Sequence, residues 1–167
     1  MNSVKSMILL LTTICCISCN NKIDYAVQLN NAIPNMQWHY DQASAFSFNI
    51  ADTSHPYILG LCIRYDNDYP DANLYTFIHT VFPDGEQTCD TVSIDLFMPD
   101  GTPTGSGRHM QELNVNISRV IFPQPGDYRI EIAQATRHDT LPGIASIGIY
   151  LINEPQNQDY GTTKEKE

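Results

Sequence analysis

The histidines stand at positions 39, 55, 79, 109 and 138, each alone, so no His-Glu-x-x-His or comparable local metal motif exists. A zinc site would have to be assembled entirely from distant parts of the chain. Gly-x-Ser-x-Gly and Ser-x-x-Lys, the local signatures of an activated serine, are missing too. The run Asp66-Asn67-Asp68-Tyr69-Pro70-Asp71 groups three carboxylates, the hard oxygen donors that calcium takes, but it lacks the glycine turn and distal glutamate of an EF-hand loop. It reads as a solvated connection between strands. Arg64 near the end of an apolar run, and Arg137 after Ile132-Ala133-Gln134-Ala135-Thr136, are guanidinium forks that either clamp a loop or hold a partner. Trp38, Tyr40, Tyr57, Tyr65, Tyr69 and Tyr75 would suit a sugar-stacking face if exposed, but strand alternation turns several inward, which favours core packing over carbohydrate binding. These residues predict no enzyme, no metal and no dissociable cofactor.

The residue with the clearest chemistry is Cys19. Lys5 forms a short positive region ahead of an apolar run from Met7 to Ile17, the pattern of a secretory signal peptide over residues 1–18. Eleven residues fall well short of the roughly 20 needed to span a bilayer as a helix. Ile17-Ser18-Cys19 places a small residue just before a cysteine, which resembles the bacterial lipobox, where cleavage exposes a cysteine that takes diacylglycerol and a palmitate-type acyl chain. Two or three such chains hold a soluble domain to a membrane almost permanently. Asn-rich residues 19–35 then read as the lipidated cysteine and its tether. Once Cys15 and Cys16 leave with the leader, Cys62 and Cys89 remain, and sequence alone leaves open whether they bond.

The 167 residues allow one domain, and 42% apolar content with 17% charged residues is a folding composition. Nine basic against nineteen acidic side chains give a net charge of −10, which a phosphate backbone would repel; nucleic acid is a poor partner. From Met36 onward apolar residues alternate with period two, with Pro83-Asp84-Gly85, Pro99-Asp100-Gly101 and Pro125-Gly126-Asp127 as turns. Phe46 to Ile50, Tyr57 to Tyr65, Val92 to Leu96, Leu113 to Ile117, Tyr128 to Ile132 and Ile147 to Leu151 each show this alternation. Leu74 to Phe82 is apolar on both faces, as in a central strand, and the glycine-rich residues 101–112 read as a loop or a helical turn. The fold class is therefore all-β: a single antiparallel β-sandwich of about eight strands, Ig-like or jelly-roll-like, over residues 36–152. Residues 153–167 are a polar tail with nothing to bury.

In order along the chain, the lipobox, Trp38, Phe46 to Asp52, Ile63-Arg64-Tyr65 and Tyr69-Pro70-Asp71-Ala72-Asn73-Leu74-Tyr75 resemble the gliding-motility lipoproteins of the GldH family, found in Bacteroidota. Asp90-Thr91-Val92, Gly101 to Gly107, Pro125 to Tyr128, Gln134 to Arg137 and Leu141 to Ile144 continue the match. The resemblance implies a non-catalytic accessory or scaffolding lipoprotein of the gliding-motility and type IX secretion machinery, partnered by other envelope proteins of that apparatus. It implies a lipid anchor in the outer membrane; the short polar segment after Cys19, without an acidic run, favours the periplasmic face over the cell surface. Arg64, Tyr69, Asn73 and Arg137 are the candidate binding residues. A carbohydrate-binding surface lipoprotein is the alternative.

Overall fold

The computed structural model describes Ile23 and residues 25–154. The leader, Cys19 and the polar tail lie outside the described residues. Eight long strands carry the fold: β1 (Tyr25–Ala32), β3 (Ser44–Ile50), β4 (Tyr57–Asp66), β5 (Asn73–Val81), β6 (Gln87–Asp95), β8 (Met110–Val120), β9 (Gly126–Gln134) and β11 (Ile144–Asn153). Three short ones, β2 (Gln37–His39), β7 (Ser106–Gly107) and β10 (Thr140–Pro142), trim the loops. One antiparallel sheet runs β1-β11-β4-β8-β7 and the other β3-β9-β5-β6, with β2 and β10 as a separate ribbon. Counted in chain order, the eight long strands read 1-8-3-6 in one sheet and 2-7-4-5 in the other. That interleaving is the double Greek key of a jelly roll, so of the two sandwich types expected it is the jelly roll that forms. No barrel closes.

Alternation builds the core. Leu59, Leu61, Ile63 and Tyr65 of β4 and Ile147, Ile149 and Leu151 of β11 face Phe46, Phe48 and Ile50 of β3 and Tyr128, Ile130 and Ile132 of β9, and all are buried. Each such side chain contributes roughly 1.5–3 kcal/mol on leaving water, set against the entropy of ordering it. The buried aromatics also hold loops by their polar ends: Trp38 Nε1 donates to the Gln42 carbonyl, Tyr57 to Asp52, Tyr65 to Leu96, Tyr69 to Asn73 and Tyr128 to Gln124, at 2.6–3.0 Å.

The structure corrects two boundaries. Residues 25–32, expected within the tether, pair with β11 as the outer strand of the first sheet. Val27, Leu29 and Asn31 turn towards the protein while Gln28, Asn30 and Ala32 face solvent, and past a bulge Tyr25 packs edge-on against Tyr150. An edge strand with one covered face needs few apolar residues, which is why Asn-rich sequence can form it. Residues 101–112 hold no helix; they carry β7 and the start of β8.

The registers define two poles. Tyr25 lies level with Ile152, Ile58 and Arg119 at one end, and Ala32 with Ser146, Arg64 and Glu112 at the other. At about 3.3 Å per residue these two levels are roughly 20–23 Å apart. The described chain enters and leaves at the first pole, and the connections at 33–43, 67–72, 96–109 and 135–143 all crowd the second.

Candidate binding site at the far pole

Strand β9 ends on Gln134, which is 3% exposed and carries an amide into the core's edge. That amide organises the loop after it. Gln134 Oε1 accepts the Thr136 N–H at 2.9 Å and the Thr136 hydroxyl at 2.6 Å, and Nε2 donates to the His138 carbonyl at 2.6 Å. The Ala135 N–H adds one more rung to the Tyr75 carbonyl of β5 at 2.8 Å. His138 Nε2 then meets Asp71 Oδ2 at 3.1 Å, tying this loop to the one between β4 and β5. Residues 135–138 are thereby braced from three sides with Arg137 at their exposed tip.

The neighbouring loop is fixed as firmly. Gly143 has φ +89°, and a Cβ there would come within 2.8 Å of Asp66 Oδ1 and 3.0 Å of Tyr69 Cα. Only glycine satisfies both the left-handed backbone and the close approach. Its carbonyl accepts the Asp66 N–H and its N–H donates to Met36. Tyr69 is buried against this turn; burial first, and the charge of Asp71 second, push its phenol well above the ordinary tyrosine range.

Two adjoining depressions share residues 135–138. One of about 720 Å³ is bounded by Asp71, Asn73, Tyr75, Arg137 and His138, and one of about 400 Å³ by Tyr40, Phe77, Ala133, Arg137 and Asp139. Together they form a trough over the end of the β3-β9-β5-β6 sheet. Three rings stand proud in it: Tyr40 is 58% exposed, Tyr75 45% and Phe77 40%. Asn73 lines the larger depression, and its Nδ2 donates to Ser93 Oγ at 3.0 Å. Among the described residues Arg137 makes no side-chain hydrogen bond or ion pair, so it does not clamp its own loop. The arrangement can stack and hydrogen-bond a ligand.

The four candidate binding residues therefore separate. Asn73 and Arg137 line the trough, and Tyr69 lies beneath it as support, its hydroxyl on the Asn73 carbonyl. Arg64 alternates outwards on β4, so it belongs to the outer face of the other sheet and does not join them. Of the six aromatics named from sequence, Trp38, Tyr57, Tyr65 and Tyr69 are core, and Tyr40 and Tyr75 are exposed. Sequence missed Phe77 and Gln134. The outward position of Phe77 was open to detection, since Leu74 to Phe82 is apolar on both faces; the sheet that covers only one of them was not.

Other chemistry lies elsewhere. Cys89 Sγ is 3.6 Å from His79 Nε2 on the outer face of β5 and β6, outside any depression. Cys62 is free as well, on the outer face of the opposite sheet, so the two cysteines do not bond. Burial, then the charge of Glu112, raise the Cys62 thiol above its ordinary value. A third cavity of about 470 Å³ opens between β6 and β8, walled by Leu59, Ile78, Val92, Ile117, Val120 and Phe122. Among the described residues no group of three or more His, Cys, Asp or Glu side chains could hold a metal, and no helix is long and apolar enough to cross a membrane.

The GldH lipoprotein family profile matches residues 26–151, the whole sandwich including β1. The chain belongs to the GldH lipoprotein family. It is 29% identical over 149 residues to the gliding motility lipoprotein GldH of Flavobacterium johnsoniae, covering 85% of this chain and 88% of that one. It is 30% identical over 124 residues to a gliding motility lipoprotein GldH homolog of Christiangramia forsetii, covering 69% and 76%. Among solved structures, that of infectious bursal disease virus Gt strain overlaps 78% of this chain with a TM-score of 0.36 and 15% identity; the chain spans 31% of that protein's length.

Proposed function

We propose that this GldH family member is a non-catalytic scaffolding component of the gliding-motility and type IX secretion apparatus, held by lipid on Cys19 and binding its partner through the far-pole trough. The observation that carries this reading is polarity: the described chain enters and leaves at one pole, and the braced Arg137, with no side-chain partner among the described residues, stands at the other. Tyr25 is six residue steps from Cys19, a reach of at most about 22 Å, so the sandwich stays close to its membrane with the trough directed away from it. That tether is much shorter than residues 19–35 would have allowed, because β1 folds. The outer membrane's periplasmic face is the site proposed, with other envelope proteins of the apparatus as partners.

Three measurements test it. Mass spectrometry of the processed chain should find an acylated Cys19 at the amino terminus; an unmodified terminus refutes the anchor. Affinity capture from membranes with a tagged lipidated chain should recover apparatus proteins, and Arg137→Ala should lower that recovery several-fold. Protease treatment of intact cells should spare the domain; its digestion refutes the periplasmic placement.

A further inference from the structure

We infer that the ligand of the far-pole trough is a saccharide chain, its pyranose rings stacked on Tyr75 and Phe77 and its hydroxyls bonded by Arg137, Asn73 and Asp71. This rests on the reading that the trough is the molecule's binding surface and adds the chemistry of what it holds.

Tyr75 and Phe77 are two residues apart on β5, so their side chains leave the same face of the sheet about 7 Å from one another. Their cross-strand neighbours are short: Ser93 stands opposite Tyr75, and Thr91 and Ala133 flank Phe77. The two rings are therefore left standing on a low shelf, with flat faces open. Tyr40 faces the shelf from across the smaller depression. The protein buries its Trp38, Tyr57, Tyr65, Tyr69, Tyr128 and Tyr150 almost completely, so the exposure of these three is the exception that a ligand would account for.

Flat apolar faces interleaved with polar edges match a pyranose, which offers a CH face for stacking and hydroxyls around its rim. The trough supplies both halves of hydroxyl bonding. Arg137 brings five N–H donors with no internal partner among the described residues, and Asn73 Oδ1 and the Asp71 carboxylate accept. The Gln134 brace fixes the backbone from which Arg137 projects, which reduces the loop ordering a weakly held, repetitive ligand would have to offset.

The test is isothermal titration of the full-length protein in detergent with four soluble tetrasaccharides: chitotetraose, cellotetraose, xylotetraose and tetragalacturonate. At least one should bind, and Tyr75→Ala, Phe77→Ala and Arg137→Ala should each weaken it tenfold or more, while Phe77→Tyr keeps it within threefold. Ser47→Ala, on the same sheet face near the other pole, should leave binding unchanged. These side chains are exposed, so thermal midpoints should not move; a variant that unfolds is replaced by Tyr75→Ser. Binding of none of the four, or binding insensitive to Tyr75 and Arg137, overturns the inference. If Arg137→Ala then still reduces protein capture from membranes, the trough remains the binding surface and only the saccharide fails. If neither capture nor titration responds, both readings fall.

Discussion

Replacing Gln134 by leucine keeps the side chain's bulk and removes every hydrogen bond that shapes the 135–138 loop from below. Three bonds are lost, to Thr136 N–H, Thr136 O–H and the His138 carbonyl, all between 2.6 and 2.9 Å. Each is worth roughly 0.5–1.5 kcal/mol net, and the two main-chain groups lose partners in a half-buried setting, so the sum is about 2–4 kcal/mol. For a domain of this size that corresponds to a fall in Tm of roughly 10 °C. Urea denaturation of Gln134→Leu should show a lowered midpoint with an unchanged slope. A cycle with Thr136→Val should give a coupling of about 1 kcal/mol, because the Thr136 hydroxyl has Gln134 as its acceptor. The amides of residues 135–138 should broaden in an NMR spectrum of the folded variant, and ligand binding or partner capture should weaken along with them. A midpoint within about 0.5 kcal/mol of the parent would refute the reasoning. It would mean that the His138–Asp71 contact and the Ala135–Tyr75 rung hold the loop unaided.

Thr76→Val should stabilise by about 1 kcal/mol, since the Thr76 hydroxyl is wholly buried with no hydrogen-bond partner among the described residues; denaturant titration measures it. Gly60→Ala should cost about 2–4 kcal/mol, because the new methyl meets the ring of Tyr150, which packs over Gly60 and donates to Asn116 Oδ1 at 2.8 Å. The same substitution in a Tyr150→Ala background should cost much less. The raised Tyr69 phenol supports stability that is fully present below the unfolded value of about 10 and is lost as pH climbs through the folded one. Tyr69→Phe should therefore flatten the alkaline arm of the stability curve. Of the two described cysteines, Cys89 should react with a thiol reagent at once and Cys62 far more slowly, as its exposure and raised thiol pKa dictate, and peptide mapping that finds Cys62 labelled as fast as Cys89 would contradict this.

The core strands were readable because period two survives wherever one face is covered: Phe46-Phe48-Ile50, Leu59-Leu61-Ile63 and Tyr128-Ile130-Ile132 all fall inward as their spacing demands. Strand β1 was hidden beside the leader and by its two asparagines, although Val27 and Leu29 already alternate. Leu74 to Phe82 illustrates the opposite case. Its doubly apolar pattern reads as a central strand, and β5 is central, between β9 and β6, while Tyr75 and Phe77 face solvent. The apolar excess there marked a surface. The trough was illegible for a different reason: Tyr75 and Arg137 lie 62 positions apart and meet only because Thr76 pairs with Gln134 across β5 and β9. Arg64 shows the limit of spacing alone, since its place near a strand end is as read while its sheet face sets it on the opposite sheet from Asn73 and Arg137.

The far pole carries the longest connections of the sandwich, and long connections are ordinarily the mobile part of a β protein. Here the core reaches into them. Trp38 holds Gln42, Tyr65 holds Leu96 and, through its hydroxyl, the Gly105 N–H at 3.0 Å; Tyr69 holds Asn73, and Gln134 holds Thr136 and His138. In each case a side chain buried for its bulk spends its one polar end on a loop's main chain, so the energy that packs the core also fixes the loop's shape. Rigid loops lose little entropy on binding, which matters most for a ligand that makes few contacts. The same arrangement sets a structural constraint on this sequence: at Trp38, Tyr65, Tyr69 and Gln134 an apolar replacement of equal size would still fill the core and would release the surface above it. Substitutions such as Tyr69→Phe should therefore separate the two roles, leaving the folded sandwich nearly as stable at neutral pH while loosening Asn73 at the trough's edge.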